Sequence, residues 1–311
     1  MNISPTLGLW LLSDDYDSSD DPRTISATAL LKPVKAIVLS RRVVDKAPVS
    51  IDSLIASRMG SAVHTAIENS WLQGSKTYEA LSRMGLPAHR YLINPEGSVP
   101  EGMIPIYLEQ RFYRKLNGWT VTGKFDMVFD GQVHDIKTTK AYNIEKKLSH
   151  ESWKLQGSIY RWLTPEVITD ESLLVEAVIV DWNRGSAARS ADYPQSAWQR
   201  ISLPLLTVSN TESYISNKLE LLDMYMDSDE SEMPRCTDEE LWRDAPKYAY
   251  YAKGITAGRS TRNFDTLLEA QTYQVSKGGK GEIEVRKGSP KACDYCPAAL
   301  ICKQRLEYLN D

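Results

Sequence analysis

The residues best suited to chemistry in this sequence lie in one short stretch, VTGKFDMVFDGQVHDIKTT, at positions 121–139. Asp130-Gly131 sits between two alternating apolar runs, which is the strongest short-range signal for a two-residue hairpin turn. With those two residues as the turn, Asp126 falls directly opposite Asp135, and Lys124 opposite Lys137. Opposed carboxylates repel one another across a sheet, so the pair calls for a cation. Hard oxygen donors suit Mg2+ or Mn2+, and such an ion polarises a phosphoryl oxygen and acidifies bound water. Side chains alternate along a strand, so Lys137 shares the face of Asp135, where it could orient an attacking water and offset charge on a phosphate. Phe125, Met127, Phe129 and Ile136 point to the other face and toward a core.

A second group is made of soft donors. Cys293, Cys296 and Cys302 form the C-x2-C-x5-C pattern of CDYCPAALIC, and the chain's fourth cysteine is Cys236. Four cysteines are few for a disulfide framework in 311 residues, and three crowded into one segment read as metal ligands before bridges.

At these residues the sequence resembles the PD-(D/E)XK nuclease superfamily, and within it the RecB-like branch that includes CRISPR-adaptation nucleases and many phage-encoded exonucleases. GSAVHTAIE resembles the branch's helical Gly-x-x-x-His-x-x-x-Glu motif, with His64 in the position that offers an imidazole to the metal and Glu68 one turn later on the same face. Glu109 stands where the family often has an acidic residue before its Gly-x-x-Asp motif. GKFD supplies that aspartate as Asp126, and DIK supplies the Asp-x-Lys signature as Asp135 and Lys137. QGSIY is similar to the Gln-x-x-x-Tyr motif, which implies that Gln156 and Tyr160 contact DNA or brace the active site.

The resemblance implies phosphodiester hydrolysis in DNA by a metal-dependent exonuclease of replication, recombination or repair. The metal would be held by His64, Asp126, Asp135 and the Ile136 carbonyl. Catalytic roles would fall to Asp126, Asp135, Lys137, Gln156 and Tyr160. The cysteine segment resembles the C-terminal motif of RecB-like nucleases that hold a [4Fe–4S] cluster. Cys236, Cys293, Cys296 and Cys302 would then be the ligands, although four thiolates suit Zn2+ as well, and in better-known members the isolated cysteine precedes the nuclease core. Expected partners are single-stranded or end-containing duplex DNA and a helicase or recombination protein. Two other readings remain open: a nucleic-acid-binding module organised by zinc, and a latent nuclease subunit activated by such a partner.

The surrounding elements must position these residues. Helical spacing runs from Asp52 to Leu72, with Asp52 as a candidate cap and Gly60 in need of a packing reason. Strand patterning covers 104–139, helix returns over 151–163, Leu173–Asp181 reads as a buried strand, and 205–226 as a long helix. The class is α/β: a restriction-endonuclease-like core, a central mixed sheet flanked by helices, with a C-terminal cysteine-ligated module. Composition divides the chain into a flexible acidic tail (1–23), the core (24–230) and the cysteine module (231–311).

The net charge of −4 means that any nucleic-acid site depends on a local basic surface or on bound cations. Lys140, Lys146, Lys147, Lys154 and Arg161 could flank DNA. Trp153, Trp162, Tyr248, Tyr250 and Tyr251 are better read as packing residues than as base-stacking platforms, and His89, His134 and His150 have no ligand spacing. With no apolar run of membrane-spanning length and an acidic N-terminus, the expected location is the cytoplasm, the host's if the protein is phage-encoded.

Overall fold

Pro5 begins a helix whose first turn is closed by the Ser4 hydroxyl, which accepts from Leu7 N–H at 3.3 Å. The apolar run that follows forms α1 (Pro5–Leu12), with Leu11 fully buried and its carbonyl accepting from Arg58 Nε at 3.0 Å. Part of the segment expected to be a tail is therefore packed helix, anchored by buried Leu11 while Leu7, Leu9, Trp10 and Leu12 stay exposed. The structure, a computed structural model, describes residues 3–13, 19, 21–44, 51–255 and 258–310, so most of the acidic run and the side chain of Asp52 lie outside the described residues.

The chain continues through β1 (Thr24–Ser26), α2 (Ala27–Leu30), α3 (Val34–Arg42), α4 (Ile51–Trp71), α5 (Ser75–Arg83), β2 (Tyr91–Ile93), β3 (Ile104–Leu108), β4 (Arg111–Leu116), β5 (Trp119–Lys124), β6 (Met127–Phe129), β7 (Gln132–Thr139), α6 (Ala141–Glu145), α7 (His150–Leu163), β8 (Ser172–Ile179), α8 (Arg184–Arg189), β9 (Trp198–Pro204) and α9 (Val208–Tyr225). It ends with β10 (Lys247–Tyr251), β11 (Arg262–Phe264), α10 (Leu267–Ser276), β12 (Glu282–Arg286) and α11 (Lys303–Asn310). Two compact units result: residues 1–31 with 48–221, and residues 32–47 with 222–311. The boundary falls inside α9, not at residue 230, and α3 belongs to the second unit, a long-range assignment that composition does not carry.

The first unit is built on a mixed six-stranded sheet in the order β2-β3-β6-β7-β8-β9. β6 and β7 form the expected hairpin. Asp130 and Gly131 both have positive φ (49° and 82°), as a type I′ turn requires, and Met127 pairs with His134 in the expected register. β7 and β8 run parallel, joined through α7, so this part of the sheet is a βαβ unit with a helical cover.

The hairpin ladder stops at Met127. Lys124 does not face Lys137; it ends β5, opposite Arg111, in a separate three-stranded sheet of order β1-β5-β4. The chain changes sheets at Phe125-Asp126, where Phe125 is buried against Phe112. Gly60 has its packing reason: a Cβ there would stand 3.1 Å from Thr138 Oγ1, so its absence lets α4 lie close to β7. Gly123 does the same for α7, since a Cβ would meet Leu163 at 2.6 Å and Tyr160 at 3.0 Å. These two glycines bring the helix of His64 and the helix of Gln156 and Tyr160 against the strands that carry the acidic residues.

The second unit contains an antiparallel sheet of order β11-β10-β12 covered by α10, whose start is closed by a Thr266–Glu269 capping box.

Candidate active site

Asp126 sits at the break between β5 and β6, where its backbone has left the ladder and its side chain can reach across to β7. Its Oδ2 accepts from Ile136 N–H at 2.7 Å, and its Oδ1 lies 3.4 Å from His64 Nδ1. The Asp126 carbonyl in turn accepts from Glu109 N–H at 3.0 Å. Glu109 occupies the turn between β3 and β4 in left-handed backbone (φ 50°), which swings its carboxylate beside Asp126. Ligand atoms of His64, Glu109 and Asp126 all lie within 4.8 Å of one another. The Asp126 hydrogen bond holds His64 above its ordinary pKa, and the facing Ile136 carbonyl adds to the effect. Burial pushes the Glu109 carboxyl up, with Asp126 and Glu68 adding to it against Lys124, whose ammonium is 2.5 Å from Glu109 Oε2.

Asp135 is the buried member of the set, only 2% exposed. Its Oδ1 accepts from Lys137 Nζ at 2.9 Å, while Oδ2 is buried with no hydrogen-bond partner. Burial raises its pKa, and Lys137 pulls the other way. Burial disfavours charge on Lys137, but Asp135 and Asp126 outweigh it and the ammonium is held above its ordinary pKa. A buried, unpartnered carboxylate oxygen beside a cluster of hard donors and one imidazole fits a divalent cation. His64, Glu109, Asp126 and Asp135 are the residues that would hold one.

Gln156 and Tyr160 on α7 join this group. Lys137 Nζ donates to Gln156 Oε1 at 3.4 Å, and Gln156 Nε2 donates to Tyr160 Oη at 2.7 Å. A continuous chain thus runs from Asp135 through Lys137 and Gln156 to Tyr160, which is itself buried. The structure brings His64, Asp126, Asp135, Lys137, Gln156 and Tyr160 together and sets Glu109 beside His64 and Asp126, a neighbour not among the metal ligands that the resemblance implies. The acidic residue before Gly-x-x-Asp was visible in sequence, but the left-handed turn that aims it at His64 was not.

The remaining candidates settle as follows. Lys146 pairs with Glu145, Lys154 with Glu151 and Arg161 with Glu171, so much of the basic run after the hairpin is neutralised. Trp153, Trp162, Tyr250 and Tyr251 are buried and act in packing. His134 faces away from Asp135, toward Glu176 at 3.9 Å.

In the second unit, Cys236, Cys293, Cys296 and Cys302 are all free thiols. Gln304, 2% exposed, accepts from Cys236 N–H at 2.9 Å and donates to the Cys236 carbonyl at 2.8 Å, tying the isolated cysteine to the first turn of α11 directly after Cys302. Buried Glu230 accepts from Lys303 N–H at 2.9 Å and lies 3.8 Å from the ammonium of buried Lys35. Backbone N–H groups of Gln304 and Arg305 face the Cys302 sulfur. Burial pushes the Cys236 thiol up to about 12, with Glu240 and Cys302 adding to it, and the Cys293 and Cys302 thiols also rise through burial. Cys293 is buried and the other three cysteines are part-buried, and the raised pKa values favour their neutral thiols.

The sequence profile of the PD-(D/E)XK nuclease superfamily matches residues 40–303, most of the chain. The protein belongs to the PD-(D/E)XK nuclease superfamily. Membership makes it a nuclease and implies DNA as its substrate. The α/β architecture, with mixed sheets flanked by helices, agrees with a restriction-endonuclease-like fold. Among solved structures, the crystal structure of SSO0001 matches at 15% identity and a TM-score of 0.41, covering 70% of this nuclease and 84% of that chain. No curated protein matches. Among the described residues, no helix of the nuclease is long and apolar enough to cross a membrane.

Proposed function

We propose that this PD-(D/E)XK nuclease is a Mg2+- or Mn2+-dependent DNA exonuclease of the RecB-like type, acting in replication, recombination or repair in the cytoplasm. The observation that carries the reading is the unbroken hydrogen-bonded chain Asp135–Lys137–Gln156–Tyr160 beside the His64, Glu109 and Asp126 cluster. It joins the Asp-x-Lys signature to the Gln-x-x-x-Tyr motif in one site, as the RecB-like resemblance requires.

His64, Glu109, Asp126 and Asp135, with the Ile136 carbonyl, would hold the cation. When bound, it polarises the scissile phosphoryl group and lowers the pKa of the attacking water. Asp126 is fixed by Ile136 N–H, so its carboxylate is oriented before the substrate arrives. Lys137, charged and held between Asp135 and Gln156, positions the water and donates to a non-bridging phosphate oxygen. Tyr160 holds Gln156, and Gln156 holds Lys137, so the pair acts as a brace. In the second unit, the four cysteines would hold a [4Fe–4S] cluster or Zn2+; the Gln304 contacts to Cys236 support its membership of the ligand set.

End-labelled linear DNA and covalently closed circular DNA, each single- and double-stranded, test the reading. Progressive loss of label from linear DNA with circles intact supports an exonuclease; rapid opening of circles would replace it with an endonuclease.

A further inference from the structure

Residues 247–287 carry eight Lys and Arg against four Asp and Glu, in a chain whose total charge is −4. The basic excess is thus concentrated in the β10–β12 sheet, α10 and their connections. Several charges there are spent internally, such as Lys247 on Asp265 and Arg286 on Glu284. Three are arranged differently. Arg262 on β11 lies over Phe264 (5.1 Å) and Tyr273 (5.3 Å), and Lys277 lies over the same Tyr273 ring at 5.3 Å. Lys280 follows in the turn SKGGKG, whose Gly278, Gly279 and Gly281 have positive φ.

The scaffold under these cations is fixed. Tyr250 pairs with Arg262 across the ladder, packs edge-on against Tyr273, and donates from its hydroxyl to the Lys280 carbonyl at 2.9 Å. Gln274 Nε2 donates to the Gly281 carbonyl at 2.8 Å. Arg262, Lys277 and Lys280 are all exposed, and among the described residues none has a carboxylate partner. An aromatic face orients a cation without neutralising it and leaves its N–H donors free. Two cations on one ring repel each other unless an anion approaches, so the arrangement favours a polyanion over water alone.

We propose that Arg262, Lys277 and Lys280 form a DNA-backbone contact surface of the second unit, additional to the active site and independent of base sequence. The inference rests on DNA being the substrate. The occupant is a phosphate chain because the surface offers cations on a rigid aromatic base with glycine backbone beside them.

The test is fluorescence anisotropy of the full chain with labelled DNA and no added divalent cation, across 50–200 mM KCl, for wild type, Arg262→Gln/Lys277→Gln/Lys280→Gln, and Arg235→Gln. Each lost phosphate contact lowers the salt slope by about 0.7 on single strands or about 0.9 on duplex. Wild type should therefore lose about 20- to 40-fold more affinity than the triple variant over that range. Arg235→Gln, which removes a cation paired with Glu307, should match wild type. If the triple variant is unfolded by circular dichroism, Lys280→Gln alone should still lower the slope by about one contact. Wild type that binds DNA with the same slope and affinity as the folded variants overturns the surface; wild type that does not bind DNA overturns the substrate reading itself.

Discussion

Gln304 grips the backbone of Cys236 from both sides, accepting from its N–H at 2.9 Å and donating to its carbonyl at 2.8 Å, across 68 residues of sequence. Gln304 stands two residues after Cys302, so this one amide fixes the distance between the isolated cysteine and the C-terminal trio. Gln304→Ala leaves two part-buried backbone groups unpaired, a cost of about 1–2 kcal/mol. The expected result is a lower melting temperature and iron, sulfide or zinc content below that of wild type, with Gln304→Glu intermediate because it keeps the acceptor and loses the donor. Metal analysis with thermal melts checks this; unchanged metal content in Gln304→Ala would remove the positioning role.

Glu109 completes the donor cluster with His64 and Asp126. Glu109→Gln should weaken Mn2+ binding by at least about tenfold in titration calorimetry, a loss on the scale of a disturbed metal site. The fold should persist, since Glu109 lies in a turn and is partly exposed. Equal Mn2+ affinity in wild type and variant would exclude Glu109 as a ligand.

Tyr160 reaches the reacting region through Gln156 and Lys137. Tyr160→Phe removes one hydrogen bond of about 1 kcal/mol, which corresponds to about a fivefold slower cleavage if the brace acts in the transition state. Single-turnover rates should fall while Mn2+ affinity stays constant. A merely structural tyrosine would instead lower the melting temperature without a change in rate.

His134 is held neutral. Burial lowers its pKa to about 4, and Arg200, which takes up the Glu176 carboxylate at 3.2 Å, adds to the effect. The unfolded chain binds this proton near pH 6.5 and the folded chain only near 4, so the unfolded state binds more protons between them and stability falls as the pH drops through that window. Between pH 7 and pH 5 the loss should be about 2 kcal/mol from this residue. Urea melts of His134→Gln should lack that increment; an identical pH dependence would contradict the buried neutral imidazole.

The parts of this architecture that sequence displays are the local ones. Asp130-Gly131 announces its turn, and side-chain alternation then fixes the hairpin register of Met127 on His134. His64, Asp126, Asp135, Lys137, Gln156 and Tyr160 are legible because their short motifs resemble, in order, those of the superfamily. What sequence hides is set by distant partners. Lys124 leaves the hairpin because β5 pairs with β1 and β4, which lie up to about a hundred residues apart in the chain. Burial of Asp135 depends on the sheet and helices around it, so a residue that alternation places on a chemical face proves to be almost wholly enclosed. The packed helix α1 and the membership of α3 in the second unit likewise depend on contacts that no local pattern encodes.

Lys137, set by Asp135 and Gln156, is the residue on which the proposed metal-dependent cleavage turns. The most direct measurement is the cleavage rate of linear DNA by wild type and Lys137→Ala at saturating Mn2+, with Mn2+ affinity and melting temperature measured on the same samples. The expected result is metal-dependent cleavage that falls by about 100-fold or more in a folded variant with Mn2+ affinity retained. Full-rate cleavage by folded Lys137→Ala, or no cleavage by folded wild type with Mn2+ bound, would contradict the account.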